Sequence, residues 1–298
     1  MAAMSSSFPT TWAEWRTQAE QLSSGGVDVA VYDLGAPDGR PLTFLHGYPS
    51  SSMDVASVAE RLGDGWRVLA LDFPGFGASD KPAGHRYSID ACADAVEAMW
   101  ASKGVTSTLV LAHDYGVSPA QELVARQVEG ALATEVEGVV WTNGGVYPDL
   151  HRPTAGQAAL IDPEAGPGLA AVLDEDLFLG GVRVTWGTRV PFPEREIAEV
   201  HASMADGGGV PLMHELLHYV ADRREHADRW RHALEQGGIP QAFVWGDLDP
   251  VSGAHMVERI EERLPGADVV RLADVGHWPP LEAPDEVAAA VERIGKLT

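Results

Sequence analysis

The chain is poor in several residue types, and each shortage excludes a class of protein. It has 298 residues but a single cysteine, which excludes an internal disulfide and a cysteine-based zinc site. Only three of its 21 basic residues are lysine, and 44 acidic residues bring the net charge to −23. A field this negative argues against nucleic acids and anionic membranes as partners. No hydrophobic run approaches the roughly 18 residues of a membrane span.

The N-terminal segment has no basic stretch followed by an apolar run. We therefore expect no signal peptide, and a cytoplasmic protein. With 45% hydrophobic residues the chain can form a sizeable core. We predict no metal and no cofactor, and the single cysteine, Cys92, lies in a helical pattern and is expected to be buried. The oligomeric state stays open, with a homodimer among the options.

Short apolar runs alternate with helical patterns along most of the chain. The runs predict strands at residues 27–32, 42–45, 68–71, 108–112, 138–141, 242–245 and 269–272. Helical periodicity lies between most of them, as in Ile89–Ser102 and 119–129. Continuous apolar strands that alternate with helices indicate a mostly parallel sheet covered on both faces.

The alternation stops after Asn143. From about Val146 to Gln236 the sequence is helical in pattern, charged and interrupted by Gly and Pro, and it contains no convincing strand. A structureless loop of this length would be unusual in a compact domain. We therefore predict a core formed by residues 1–145 and 237–298, with a helical cap at 146–236.

Asp114 is the first candidate for chemistry. It stands in Ala112-His113-Asp114-Tyr115-Gly116, directly after an apolar strand, with the small–x–nucleophile–x–small spacing of a nucleophile elbow. A carboxylate in that position would attack an sp³ carbon and form an ester that water then hydrolyses. The alternative is an ordinary Asp N-cap of the helix that follows.

Two backbone donors are predicted beside this residue. The motif His46-Gly47-Tyr48-Pro49 follows another strand, and its Gly would let the N–H of Tyr48 turn into the site. Together with the N–H of Tyr115 it would form an oxyanion hole. The alternative is a simple strand-to-loop turn.

Two later loops supply an acid and a histidine. Trp245-Gly246-Asp247-Leu248-Asp249-Pro250 offers two acids, and we favour Asp249 over Asp247 because it clears the end of the strand. Another place for the acid holds Asn143, which is not a carboxylate. His277 follows the last strand. The chain order Asp114, Asp249, His277 is the nucleophile–acid–histidine order of the α/β-hydrolase fold.

These motifs resemble the α/β-hydrolase superfamily, specifically its branch with an aspartate nucleophile, the epoxide hydrolases and haloalkane dehalogenases. A closer likeness, to the mesoderm-specific-transcript-like hydrolases, rests on L-H-G-Y-P-S-S-S, L-D-F-P-G-F-G-A-S-D-K-P, H-D-Y-G, N-G-G-V-Y-P-D-L-H-R-P and L-L-H-Y-V-A-D-R-R. The resemblance implies an α/β-hydrolase fold: a mostly parallel eight-stranded sheet flanked by helices, with an inserted helical cap. It also implies a hydrolase that forms an alkyl-aspartate ester on Asp114.

The leaving group decides between the members of this branch. Haloalkane dehalogenases place Trp directly after the nucleophile, and fluoroacetate dehalogenases place Arg there, whereas this chain has Tyr115. In epoxide hydrolases the hydroxyl groups of cap tyrosines donate hydrogen bonds to the epoxide oxygen, and Tyr219 matches the later of these tyrosines. The resemblance thus favours an epoxide hydrolase that converts a small apolar epoxide and water into a vicinal diol. A haloalkane dehalogenase and a non-catalytic ligand-binding receptor remain the alternatives.

The earlier cap tyrosine of epoxide hydrolases has no match near Ile161. Its role falls to Tyr147, His151 or Trp186. We expect the substrate pocket, at the carboxyl ends of the strands, to be lined by these residues and by Trp278, together with Tyr48, Tyr115 and Tyr219.

Overall fold

The computed structural model describes residues 8–298 and contains one eight-stranded sheet. The strands are β1 Glu20–Ser24, β2 Val27–Gly35, β3 Arg40–Leu45, β4 Trp66–Leu71, β5 Ser107–His113, β6 Glu135–Thr142, β7 Gln241–Gly246 and β8 Asp268–Leu272. Their order across the sheet is β1-β2-β4-β3-β5-β6-β7-β8. Only β2 is antiparallel to its neighbours, β1 and β4, and the other pairs are parallel. This confirms the predicted mostly parallel sheet.

The predicted strands correspond to β2–β8, and β1 was not predicted. Its sequence, E-Q-L-S-S, has one apolar residue, and it lies at the edge of the sheet with most side chains exposed. A strand held by backbone pairing to a single neighbour needs no apolar pattern, so hydrophobic periodicity does not reveal it.

Thirteen α-helices are present in the described part of the chain. They are α1 Trp12–Trp15, α2 Ala56–Leu62, α3 Ile89–Ser102, α4 Val117–Val128, α5 Ala155–Ile161, α6 Gly166–Val172, α7 Glu175–Arg183, α8 Glu194–Ala205, α9 Met213–Leu216, α10 Tyr219–Gln236, α11 Ala254–Arg263, α12 Pro279–Glu282 and α13 Pro284–Gly295. The predicted α3 has the observed bounds, and α4 begins two residues earlier than predicted.

Helices cover both faces of the sheet, as continuous apolar strands require. On one face α2 and α13 pack over the sheet in one hydrophobic cluster. On the other, α3, α4 and α11 belong to a second cluster that continues into the insertion between β6 and β7. Cys92 is buried in α3 within this second cluster.

The insertion between β6 and β7 is formed by helices and the loops that join them. Residues 143–240, all described, contain α5–α10 and no strand. We keep the name cap for residues 146–236, although α10 also packs along α4 of the core: the indole N–H of Trp230 donates to Glu122 at 2.8 Å. The cap therefore reaches the core through α10.

None of the helices described is long and apolar enough to cross a membrane. Part of the N-terminal segment for which we expect no signal peptide, residues 1–7, lies outside the described residues.

Candidate active site

Asp114 lies at the sharp turn between β5 and α4. Its φ is 45°, and it is the one non-glycine residue with a positive φ among residues 8–298. Such strain persists only where the surroundings enforce it, and it clusters at functional sites. The turn also needs Gly116, because a Cβ there would lie 2.2 Å from the carbonyl oxygen of Leu45. Asp114 does not cap α4 with its side chain, and its carboxylate instead faces the loop after β3.

His277 lies between two buried carboxylates. Its Nδ1 is 2.8 Å from Oδ2 of Asp249, and its Nε2 is 3.4 Å from Oδ1 of Asp114. Asp249 follows β7 and His277 follows β8, so parallel strands bring all three residues to the same edge of the sheet. The arrangement has the order and contacts of a nucleophile, a base and an orienting acid.

The two acids considered for the orienting role have different surroundings. Asp249 accepts hydrogen bonds from the N–H of Val251 at 2.7 Å, the hydroxyl of Ser252 at 2.7 Å and the amide of Asn143 at 2.9 Å. Asp247 instead pairs with Arg271 at the surface. Asp249 is thus the acid that contacts His277, and Asn143 supports it from the end of β6.

The charges of the triad stabilise one another. Burial alone would lower the pKa of His277, but the charges of Asp249 and Asp114 raise it well above its usual value. Burial raises the pKa of Asp114, and the charge and hydrogen bond of His277 more than offset this, so the pKa falls below its ordinary value. The two carboxylates therefore favour the imidazolium form of His277 in the free site.

The backbone N–H of Tyr48 donates to Oδ2 of Asp114 at 2.9 Å. Gly47 permits this approach, because a Cβ there would lie 2.8 Å from the ring of His113 and 3.1 Å from Cβ of Asp114. Tyr115 follows Asp114 in the same turn. Its ring is fully buried and its hydroxyl meets the thiol of Cys92 at 3.4 Å, so only its backbone is available to the site.

Tyr219 is the first residue of α10 and lies close to Asp114. Its ring centroid is 4.5 Å from that of Tyr115, and the side chain is 2% exposed. Burial raises the pKa of its hydroxyl, and the negative charge of Asp114 raises it further. The phenol is therefore protonated at neutral pH and can donate a proton.

An apolar cavity of about 210 Å³ lies between the cap and the triad. His277, Tyr48 and Trp278 form part of its wall on the core side. The cap contributes mainly leucines from α5–α7 and the segments between them, together with one phenylalanine: Leu160, Leu169, Leu173, Leu177 and Phe178. Their partly helical spacing is the sequence signal for this wall, which was not predicted.

The predicted aromatic pocket is wrong in part. Tyr147 donates its hydroxyl to Glu235 at 3.2 Å on another face of the protein. The indole N–H of Trp186 donates to the carbonyl of Val190 at 3.1 Å, so it too lies outside the cavity wall. His151 does not line the cavity either, and neither do Tyr115 and Tyr219. Side-chain direction in these loops depends on distant partners that the sequence pattern does not show.

The loop that carries His277 is fastened to the cap through Glu282. Its carboxylate, 2% exposed, accepts backbone N–H groups from Gly276 at 3.0 Å, Trp278 at 3.1 Å and, in the cap, Gly187 at 2.8 Å. The N–H of His277 also donates to the carbonyl of Thr185 at 2.8 Å. This role of Glu282 has no signal in the sequence, because a glutamate shortly after two prolines resembles a surface residue.

The chain matches the family model described as alpha/beta hydrolase family over residues 44–290. It is 35% identical over 278 residues to LipZ of Mycobacterium tuberculosis (strain ATCC 25618 / H37Rv), covering 93% of this chain and 95% of that protein. It is 33% identical to the mesoderm-specific transcript homolog protein of Homo sapiens, covering 91% and 83%. Among solved structures it resembles haloalkane dehalogenase DbeA from Bradyrhizobium elkani USDA94, with a TM-score of 0.77, 22% identity and coverage of 94% and 99%. The chain belongs to the alpha/beta hydrolase family.

Proposed function

We propose that this hydrolase opens epoxides through a covalent ester on Asp114 and releases vicinal diols. The observation that carries the proposal is the placement of an aspartate, at φ 45°, between the Nε2 of His277 at 3.4 Å and the N–H of Tyr48 at 2.9 Å. A serine hydrolase would have a hydroxyl in that position. A carboxylate forms a stable ester with an sp³ carbon, and such an ester needs the water-activating base beside it.

In the first step Asp114 attacks one epoxide carbon. A bond forms between that carbon and a carboxylate oxygen, the carbon–oxygen bond of the ring breaks, and the oxygen leaves as an alkoxide that remains tethered. Tyr219 is the proton donor to this alkoxide, because its buried hydroxyl is protonated and lies close to Asp114. A donor aimed at charge that develops only in the transition state accelerates the reaction.

In the second step His277 takes a proton from water, and the hydroxide attacks Cγ of the Asp114 ester. The negative oxygen of the tetrahedral intermediate is stabilised by the N–H of Tyr48 and, in this proposal, by that of Tyr115. The intermediate then collapses: the bond between Cγ and the ester oxygen breaks, and the departing alkoxide takes the remaining proton of the attacking water. The diol leaves, and Asp114 is again a carboxylate beside a protonated His277. One oxygen of Asp114 leaves with the product and is replaced by the oxygen of water.

Ester formation itself prepares the base for this second step. In the free enzyme the charges of Asp249 and Asp114 hold the pKa of His277 high. Alkylation neutralises Asp114, and one of the two negative charges that favour the imidazolium disappears. The pKa of His277 then falls, its proton restores the hydroxyl that Tyr219 gave up in the first step, and neutral imidazole becomes available when a base is needed.

A halide leaving group has less support. Halides in this fold need N–H donors, but the indole of Trp278, on the cavity wall, donates to Thr185 at 2.9 Å, and that of Trp186 donates to Val190. The tyrosine after the nucleophile offers no side-chain N–H. A receptor without catalysis would use the same cavity but would form no covalent intermediate.

The test is to trap the ester with His277→Ala. After incubation with an epoxide, intact-protein mass spectrometry should show a mass increase equal to the whole substrate. With a haloalkane that the protein accepts instead, the increase would equal the alkyl group alone. Asp114→Ala is the control and should show no adduct.

Labelled water gives an independent readout for the wild-type protein. One turnover in ¹⁸O-labelled water should place the label in the peptide that contains Asp114 and leave the first diol unlabelled. No adduct on any variant with epoxides or haloalkanes, or an adduct on Cys92 or a serine, would overturn the proposal.

A further inference from the structure

Arg223 is a buried cation that forms no salt bridge with any residue among 8–298. Its side chain is 1% exposed, and neither Nε nor Nη2 has a hydrogen-bond partner among residues 8–298. It lies one helical turn after Tyr219 on α10, and its guanidinium is 5.5 Å from the centre of the Tyr219 ring. The proposed mechanism gives it no role.

The backbone beneath Arg223 is shaped to receive it beside the nucleophile. Gly145, shortly after β6, lies so close that a Cβ would be 2.1 Å from Nη2 and 2.3 Å from Cζ. A Cβ on the preceding Gly144 would lie 3.0 Å from the carbonyl oxygen of Asp114. Two consecutive glycines thus lie between the turn at Asp114 and the guanidinium of Arg223. Any side chain at Gly145 would displace the guanidinium.

A second polar group nearby also lacks a partner. The Nε2 atom of His151 is buried and makes no hydrogen bond within residues 8–298. Burial and the positive charge of Arg223 lower the pKa of His151 to about 4, so this ring is neutral and sits within electrostatic range of the guanidinium. Arg223 and Tyr219 therefore form a polar group next to Asp114, outside the leucine-lined cavity wall.

Unpartnered buried charge is costly and is rarely retained without use. Nε and Nη2 form one edge of the guanidinium, and this edge donates two parallel hydrogen bonds to the two oxygens of a carboxylate. A lysine in this place would offer a point charge without that geometry. The vacant edge thus specifies the shape of its ligand as well as the charge.

We propose that Arg223 binds a carboxylate of the substrate, so that the enzyme acts on amphipathic acids. This rests on the proposed function and names its substrate class: epoxides in which the electrophilic carbon lies between a carboxylate and an alkyl chain. The carboxylate pairs with Arg223, the electrophilic carbon faces Asp114, and the alkyl chain occupies the leucine-lined cavity. A 2,3-epoxyalkanoate is the simplest compound with this order of groups.

The first test needs no variant and no turnover. Hexanoate and hexanamide have the same chain, but only hexanoate offers an anion with two equivalent acceptors. Hexanoate should bind the wild-type protein roughly 10- to 100-fold more tightly, the factor expected for charged hydrogen bonds, as measured by calorimetry and by the shift in melting temperature. Equal binding of the two compounds, or no binding of hexanoate, would overturn the subsite.

The second test compares two neighbouring arginines. Arg223→Met should abolish the preference for hexanoate, whereas Arg224→Met, at an exposed position, should keep it. If Arg223→Met loses the preference but melts no lower than the wild type without ligand, the cation serves the ligand. A large drop in the melting temperature of the unliganded variant would make it a structural residue instead.

Kinetics separate the subsite from the reaction. With 2,3-epoxyhexanoate, Arg223→Met should raise KM, and it should lower kcat/KM by roughly 10- to 100-fold more than it lowers kcat/KM for 1,2-epoxyhexane. Arginine-dependent hexanoate binding without any epoxide adduct would sink the proposed function and keep the subsite. Adducts from epoxides together with indifference to the carboxylate would do the reverse.

Discussion

Two buried charges lie close together in this molecule, and the protein treats them differently. Asp114 has the imidazole of His277 on one oxygen and the N–H of Tyr48 on the other. Arg223 has two donor atoms without any partner in the described part of the chain. Both sit at the carboxyl end of the sheet, and both are at most 5% exposed.

The difference separates a group that the protein prepares from one that the ligand completes. The contacts of Asp114 keep it ionised and oriented before substrate arrives, as a nucleophile requires. In the proposed subsite, Nε and Nη2 of Arg223 form their hydrogen bonds only when the ligand binds, at the cost of stability in the free protein. Variants of the residues around Asp114 and of Arg223 test this difference.

The largest effect is expected for Asp249→Asn. The amide cannot hold the imidazolium and would favour the wrong tautomer of His277, a change that costs about 10⁴-fold in the serine-protease triad. Steady-state turnover should fall by a similar factor, and the ester should accumulate. Asp247→Asn is the matched control, since that carboxylate pairs with Arg271 at the surface. Equal losses in the two variants would mean that the wrong acid has been assigned.

Tyr219→Phe should have the next largest effect. Loss of a donor to the leaving oxygen is worth about 3 kcal/mol, or roughly 100-fold in the rate of ester formation. Single-turnover measurement of the adduct isolates this step. Tyr147→Phe removes a hydroxyl that donates to Glu235 instead, and its ester-forming rate should stay unchanged. An unaltered rate in Tyr219→Phe would remove this residue from the mechanism.

A stability comparison addresses the other side of the contrast. Glu122 is a buried charge that the protein fully pairs, with Arg126 at 2.8 Å, Trp230 at 2.8 Å and Arg229. Glu122→Gln should lower the free energy of unfolding by about 2 kcal/mol, because charged hydrogen bonds are lost. Arg223→Met should leave it unchanged or slightly higher. Urea denaturation of both variants gives the comparison, and a larger loss at Arg223 would contradict it.

The smallest effect concerns pH. The first step needs ionised Asp114, whose pKa is lowered, so ester formation should persist in mild acid. The second step needs neutral His277, so turnover should fall about tenfold per unit below the pKa of that group in the ester. Wild-type protein that turns over substrate at mildly acidic pH should therefore carry a larger fraction of ester, after rapid quenching, than protein that reacts at neutral pH. A constant ester fraction across pH would show that another step limits turnover.

The sequence was informative where function depends on local turns at strand ends. Asp114, Asp249 and His277 each follow an apolar strand, and parallel strands bring such positions together whatever the details of packing. The direction of Tyr147 depends on Glu235, which is remote in sequence, so the pattern misled us there. Arg223 resembles any other charge in a polar helix, and only its burial against Gly145 sets it apart. The edge strand β1 carries no apolar pattern at all.

The contacts of Glu282 have a consequence for anyone who exchanges caps between relatives. The carboxylate of Glu282 accepts hydrogen bonds from Gly187 of the cap and from the two residues that flank His277. The cap segment Thr185–Gly187 is therefore fixed to the loop that carries His277. A transplanted cap in which this segment has another length would shift the position of His277, even if the cavity of that cap fitted the substrate. The junction of such a graft should therefore lie outside Thr185–Gly187, and Glu282 should be transferred together with that segment.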